Sequence, residues 1–339
     1  MRKRARVIYN PTSGREQIKK SLPDILKVYE DAGYDTSAYC TTTDPLSARK
    51  EAKRCSADQF DLVVAAGGDG TINEVINGIA ESNIRPKVAI IPAGTTNDYA
   101  RALHIPRGNL VDAAKVIDKD QSVFMDIGKV STETEERYFM NIGAAGFLSE
   151  VSYEVPANMK SLFGSLAYFA KGAELLPRIG KVPVRIEYDD GVYEGQASMV
   201  FVALTNSVGG FEDIAPDKTL GDGKFTLIIV KATNLVEIMR LVTLLMNDGK
   251  HVNSPSIVYT KTSKVVAETL GDKKLMINID GEYGGNAPAT FINYRQHIEM
   301  VADLDGMKLD IDTRDPSMEE KETDFIQLVS KLEEQNQQE

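Results

Sequence analysis

The sequence predicts two domains: an α/β unit with a doubly wound, mostly parallel sheet, followed by a mainly antiparallel β-sandwich. Three observations carry this reading. Over roughly the first 120 residues, short β-rich runs alternate with helical patterns. The runs "LVVAA" and "VAII" are continuously apolar, as parallel strands become when crossover helices bury both sheet faces. After about residue 125 the rhythm changes to long β-patterned stretches with turn signals. At 339 residues the chain also exceeds what one ordinary core supports.

Taken in order, "ARVIYN" opens as a strand, and Ile18, Leu22, Ile25, Leu26 and Tyr29 follow at helical spacing. "YDTSAYC" is the second strand, Ser47 to Cys55 a helix, and "FDLVVAA" the buried third strand. Ile72, Val75, Ile76 and Ile79 form the apolar face of the next helix, and "KVAIIPA" supplies the fourth strand. In such open sheets the ligand crevice lies at the carboxyl ends of the strands. The second domain contributes "KVPVRIEYDD", "YEGQASMVFVALTN", "GKFTLIIVKA" and "KLMINIDGEY", with "YDDGVY" as a hairpin turn. Its helical pattern is confined mainly to a basic segment and to Leu235 to Leu245. The expected division is 1–125, completed by about 303–316, then 126–302, then a tail at 317–339. In that tail Phe325, Ile326, Leu328, Val329 and Leu332 outline a short amphipathic helix.

Hydrophobic content of 42% and charged content of 26% are those of a soluble globular protein. No apolar run reaches the roughly 18 to 20 residues of a membrane span, and "MRKRARVIYN" has no signal-peptide core, so a cytoplasmic protein is expected. Cys40 and Cys55 are read as reduced thiols; with three scattered histidines, His104, His251 and His297, they form no zinc pattern. The net charge of −11 argues against nucleic acid as a partner. From Asp303 to Glu339 twelve acids face four Lys or Arg, so −8 of that charge belongs to the end of the chain. Residues 157–185 are the opposite: Lys160, Lys171, Arg178, Lys181 and Arg185 stand against Glu174, with Phe163, Leu166, Tyr168 and Phe169 interleaved.

Three glycine-containing turns follow strands in the first domain. They are Asn10-Pro11-Thr12-Ser13-Gly14, then Gly67-Gly68-Asp69-Gly70-Thr71, then "PAGTTND", which contains Thr95 and Asp98. Backbone amides at a helix start, with the helix dipole, favour phosphate oxygens, and glycine lets the ligand come close. Each turn alone also reads as a plain βα connection that uses glycine for positive φ. Neither GxxxxGK[ST] nor a correctly placed GxGxxG is present. A carboxylate about 4 Å from a phosphate charge meets repulsion of about 4 kcal/mol at an effective dielectric near 20. A cation must therefore stand between them. Magnesium suits, because it binds through one or two carboxylates while sharing phosphate oxygens, so Asp69 and Asp98 are expected to serve one metal-triphosphate site.

"GGDGTINEVINGI", followed about 20 residues later by "IPAGTTNDYARAL", resembles the catalytic domain of the diacylglycerol kinase and sphingosine kinase superfamily. The likeness continues through "NIGAAGF" and "NIDGEYGG", so to about residue 305 the chain resembles the soluble bacterial diacylglycerol kinases. NAD kinases and phosphofructokinases, whose fold this family shares in its first domain, resemble it only at the GGDG turn. The resemblance implies ATP and Mg2+ as cofactors and nucleotide contacts at Asn10 to Gly14, Thr41, Gly67 to Thr71, Ile72, Asn73 and Thr95. It implies Glu282 as catalytic base, with Asp280 as a close supporting carboxylate. It also implies a structural magnesium in "TLGDGKF", held by the Asp222 side chain and the carbonyls of Thr219 and Lys224. Gly221 stands where relatives often carry an acid, and Thr96 where many carry glycine.

A lipid hydroxyl has a pKa comparable to that of water, about 16, so a carboxylate accepts its proton only as the bond to phosphorus forms. A period-two strand would put Asp280 and Glu282 on one face, pointing into a cleft; a solvated turn "DGEYGG" is the alternative. For Asp222 an ordinary turn before glycine also remains open. The resemblance implies transfer of the γ-phosphoryl of ATP to diacylglycerol, giving phosphatidic acid for phospholipid synthesis. Diacylglycerol is met at a membrane, so peripheral association with the inner face of the cytoplasmic membrane follows. Segment 157–185 is read either as its contact with anionic phospholipid or as a helix packed on the β-domain with a solvated basic face. Another lipid alcohol as acceptor, such as a sphingoid base or phosphatidylglycerol, a non-catalytic nucleotide-regulated lipid-binding protein, and an NAD kinase, which "GTTNDYAR" disfavours, are the rival readings. Exposed strands and the tail helix are compatible with a homodimer.

Overall fold

A computed structural model describes residues 2–95, 97–146, 181–205, 221–232, 237, 241 and 254–309. The basic segment up to residue 180, Thr96, Thr219, the tail helix and most of the Leu235 to Leu245 helix lie outside the described residues.

The first half alternates strand and helix as its periodicity requires. β1 (Lys3–Tyr9), β2 (Tyr34–Cys40), β3 (Leu62–Gly67) and β4 (Lys87–Pro92) are parallel, in the order β2-β1-β3-β4. The crossovers are α1 (Gln17–Asp31), α2 (Ser47–Ala57) and α3 (Asp69–Ala80). Every residue of β3 is buried, as expected of a central strand covered on both faces. α3 turns Ile72, Val75, Ile76 and Ile79 into the core, all fully buried. Two short helices follow β4: α4 (Asp98–Ala102) and α5 (Leu110–Ala114), the latter capped by the Asn109 side chain, which accepts from the amides of Val111 and Asp112.

The second half is built from hairpins. β5 (Ser122–Thr132) pairs with β6 (Glu136–Phe139), and β7 (Ile142–Gly146) precedes β8 (Val182–Tyr188) and β9 (Gly191–Ala203). β10 (Phe225–Lys231), β11 (Ile257–Thr262), β12 (Lys264–Thr269), β13 (Met276–Ile279), β14 (Glu282–Asn286) and β15 (Ala289–Val301) complete it, followed by α6 (Leu304–Leu309). The pairings within this half are antiparallel. β8 and β9 are joined by the two residues Asp189 and Asp190, where the sequence places its hairpin.

One long ribbon ties the halves together. β15 runs antiparallel to β5 through a bulge between Tyr294 and Ile298, then joins β4 in parallel at Met300 and Val88. The fifteen strands among the described residues therefore belong to one hydrogen-bonded sheet system. The cores nevertheless stay separate. Ile298, Met300, Val301 and Ala302 pack with the α/β core, while Phe139, Phe225 and Phe291 centre the β core. Phe139 stacks on Phe225 at 5.8 Å and meets Phe291 edge-on at 6.1 Å.

One expectation fails here. Asp280 is not a strand residue beside Glu282: Ile279 pairs with Glu282, and Asp280-Gly281 form a two-residue turn with φ of 49° and 89°. Two successive positive φ values define the tight hairpin turn that follows the right-handed strand twist, and Asp-Gly is a favoured pair for it. The two carboxylates find different partners, and Asp280 is half-buried and hydrogen-bonded rather than freely solvated.

Candidate active site

Thr41, Asn10, Gly67 and Ala93 end adjacent strands, so the sheet itself lines the expected turns along one edge. Thr41 donates its amide to Tyr9 O at 2.9 Å, Asn10 to Ala66 O at 3.0 Å and Ala93 to Gly67 O at 2.8 Å. The turns then close on one another. A methyl on Gly14, whose φ is +61°, would lie 3.2 Å from the Ala93 methyl, and one on Gly94 would lie 2.8 Å from the Gly68 Cα. Asn10 Nδ2 donates to Thr71 Oγ1 at 3.4 Å, and the Asn10 carboxamide oxygen accepts from Thr12 N and Oγ1. Thr12 and Thr95 are exposed, and Pro11 and Ser13 are half-buried.

Asp69 opens α3, preceded by Gly68 as its cap residue. Its Oδ2 accepts the amide of Asn97 at 3.0 Å, which fastens the third turn to the second. Asn97 sits at φ 52° and folds its carboxamide back onto Gly94, accepting from its N at 2.8 Å and donating to its O at 2.9 Å. Asp98, half-buried, opens α4 directly beyond.

Two of the residues expected to contact nucleotide are buried. Ile72 is fully buried in the α/β core, because its place on α3 belongs to the apolar face, so its side chain is not presented to a ligand. Asn73, 7% exposed, donates Nδ2 to Asp280 Oδ2 at 2.9 Å and accepts from Asn77 Nδ2 at 3.0 Å.

Asp280 is the junction between the halves. Besides Asn73 it accepts from the Tyr99 hydroxyl and from the amides of Met140, Asn141 and Ile142 at 3.1, 3.1 and 2.9 Å. Its own amide donates to Ile142 O at 3.0 Å. Burial pushes the Asp280 pKa above the ordinary carboxylate value, against the opposing pull of Tyr99 and the three amides. Burial also pushes the Tyr99 phenol well above its usual value, which keeps it a donor. The β13–β14 turn is thereby pinned to α3 and α4, which begin at the second and third glycine turns.

Glu282 follows that turn and is exposed. Its Oε1 reaches across to α3 and would lie 3.8 Å from a methyl on Gly70. Its Oε2 is paired with Arg137 Nη2 from β6. Sequence reasoning missed Arg137 and Tyr99, which lie 145 and 181 positions from their partners. "DYAR" placed Tyr99 beside Asp98, but nothing local marks either contact.

The loop expected to hold a second metal lies in the β half. Asp222 Oδ1 accepts from Lys224 N at 2.8 Å, the turn-before-glycine geometry, and Oδ2 stands 4.0 Å from Lys261 Nζ. Asp126, buried, accepts from Gly223 N and Gln296 N, each at 2.7 Å, while Gly221 O accepts from Arg295 and Gln296. Lys224 sends its ammonium to Asp189 at 2.8 Å. Among the described residues, no group of three or more His, Cys, Asp or Glu is arranged to hold a metal. Among them, too, no helix is long and apolar enough to cross a membrane. The two thiols are free, Cys40 exposed and Cys55 buried.

Both halves of the chain match known protein families. Residues 4–130 match the diacylglycerol kinase catalytic domain, and residues 143–302 the YegS C-terminal NAD kinase beta sandwich-like domain. A diacylglycerol kinase of Staphylococcus aureus (strain bovine RF122 / ET3-1) is 49% identical over 305 residues, covering 90% of this chain and 94% of that protein. Another, from strain MRSA252, is 49% identical over the same shares. A crystal structure of a "putative diacylglycerol kinase" from Bacillus anthracis str. Sterne superposes with a TM-score of 0.76 at 27% identity, covering 89% of this chain and 96% of that one. A second structure from the same organism gives 0.70 at 25% identity, over 90% and 98%.

Proposed function

Since the chain belongs to the diacylglycerol kinase family, we propose that it transfers the γ-phosphoryl group of ATP to the free hydroxyl of 1,2-diacylglycerol, giving phosphatidic acid. The nucleotide half of the reaction is assigned to 1–125 with 303–316, and the lipid half to 126–302. The observation that carries the reading is the approach of Glu282, from the β half, to Gly70 at the start of α3. An acceptor hydroxyl between Glu282 and a phosphoryl group over α3 would be in line with both.

The turns at Asn10 to Gly14, Gly67 to Thr71 and Thr95 present amides and hydroxyls to the triphosphate, and the α3 dipole favours its charge. Asp69 and Asp98 are hard oxygen donors opening neighbouring helices beside that cradle, which fits magnesium, and they would hold it. Bound there, the ion offsets charge on the phosphate oxygens. Glu282 accepts the hydroxyl proton as the new P–O bond forms. Asp280 keeps Glu282 in register with α3 rather than touching the acceptor. In the β half, Asp222 with the carbonyls of Thr219 and Lys224 would hold a structural ion, in competition with the Lys261 ammonium for Oδ2.

The acceptor is met at a bilayer surface, with segment 157–185 in contact with anionic phospholipid and the protein resting on the inner face of the cytoplasmic membrane. Charge reversal at Lys160, Lys171 and Lys181 then weakens binding to anionic vesicles. The main test supplies labelled ATP, magnesium and mixed micelles containing in turn diacylglycerol, a sphingoid base and phosphatidylglycerol. Label in phosphatidic acid alone supports the assignment; transfer only to another acceptor, or lipid binding without transfer, overturns it.

A further inference from the structure

We propose that Arg137 is the counter-charge that lets Glu282 share its cleft with a polyphosphate. The inference rests on the reading that Glu282 faces ATP. A carboxylate at the start of α3 repels the same phosphate charge that Asp69 would, and at Glu282 the described structure supplies a cation from the protein itself. Arg137 Nη2 is paired with Glu282 Oε2, on the side of the carboxyl group away from the oxygen that approaches Gly70.

Both partners belong to the β half, and the strand that carries Arg137 is tied to α3. Arg137 belongs to β6, and the next residue, Tyr138, exchanges two hydrogen bonds with Asn77 of α3: Asn77 Nδ2 donates to Tyr138 O and Tyr138 N donates to Asn77 Oδ1, both at 2.9 Å. The guanidinium is thus fastened to the helix that begins at the glycine turn. Glu282 arrives on the β13–β14 hairpin. Their side chains are 14% and 55% exposed, so the cation is the fixed partner and the carboxylate comes to it from the cleft. A planar guanidinium has five donors, and one fork suffices to hold a carboxylate. Glu135 lies at the outer limit of ion-pair distance, 4.0 Å from Nη1, and leaves Glu282 as the closer carboxylate.

An exposed ion pair contributes little to folding stability. Its value here lies in charge balance. Without Arg137, Glu282 would stand uncompensated beside the phosphates, and the cost would appear in nucleotide affinity. Arg137 acts through Glu282 and is a positioning residue.

The test is a double-mutant cycle on MgATP binding, measured by calorimetry with the full chain, alongside turnover with diacylglycerol micelles. Arg137→Ala is expected to weaken MgATP binding about tenfold. Glu282→Gln is expected to stop turnover while binding MgATP at least as tightly as the parent. The double variant should then bind within about twofold of Glu282→Gln, because no carboxylate remains to be neutralised. Arg137→Lys, which keeps the charge and spares β6, should bind MgATP more tightly than Arg137→Ala. A loss in Arg137→Ala that persists undiminished in the double variant, or no loss at all, overturns the proposal. Turnover retained by Glu282→Gln instead overturns the base assignment, and the binding cycle still reports on Arg137.

Discussion

Gly68 and Gly94 face each other backbone to backbone, so that one added methyl on Gly94 would stand 2.8 Å from the Gly68 Cα and 2.9 Å from Asn97 Oδ1. The turns meet this closely because Gly94 carries no side chain; a methyl on Gly68 would lie 3.4 Å from the Gly94 Cα, at ordinary contact. Gly94→Ala must push the third turn outward, away from Asp69, and overpacking of this kind costs about 1–3 kcal/mol. Chemical denaturation should show that loss, and a nucleotide titration should show weaker MgATP binding with the lipid KM unchanged.

Tyr99→Phe removes one donor from Asp280 and leaves the ring in place. Hydrogen bonds to charged groups are worth about 1.5–3 kcal/mol, so a loss in that range is expected in urea unfolding. Because the bond spans the two halves, kcat should fall more than the KM for ATP rises. Asp280→Asn, which turns one acceptor into a donor facing other donors, should cost more than Tyr99→Phe on both measures.

Asp189 should make the β half sensitive to acid. Burial alone would raise its pKa, but Lys224 Nζ and the Ser263 amide and hydroxyl overcome that and hold it well below the ordinary carboxylate value. A folded-state pKa below the unfolded one contributes stability above the unfolded value, about 3.9, and that contribution is lost as pH falls further. Asp189→Asn should lower stability at pH 7 by at most about 1 kcal/mol, because solvent screens this exposed residue, and flatten the dependence below about pH 4. Thermal melts across that range check both.

Phe139→Ala should be among the costly core changes, at about 3–5 kcal/mol. The ring stacks on Phe225 and fills the space above Gly128, where a methyl would already collide with it at 2.2 Å. Calorimetry should show the drop, and an MgATP titration should show no change, because the proposed nucleotide turns lie in the other half.

The α/β half was largely legible because its signals are local. A strand buried on both faces reads as a continuous apolar run, as in β3, and the helix after it shows its buried face at Ile72, Val75, Ile76 and Ile79. The same face shows why Ile72 contributes no side chain to a ligand, a point visible in the periodicity itself. At Asp280 the period-two argument was applied one residue too far, although "NIDGEY" carries the Asp-Gly signal of a tight hairpin. Arg137 was out of reach for a different reason: its partner lies 145 residues away and no spacing rule connects them. Likewise nothing local in the sequence says that the last residues of β15 complete the first sheet.

That strand sets an order on synthesis. When the ribosome has released residues 1–125, the parallel sheet still has an open edge at β4, where Val88 awaits Met300. Open edges pair with whatever strand is near. The nascent chain must therefore keep that edge out of trouble while some 170 further residues emerge, and cutting the gene after residue 125 would yield an aggregating fragment rather than a nucleotide-binding module.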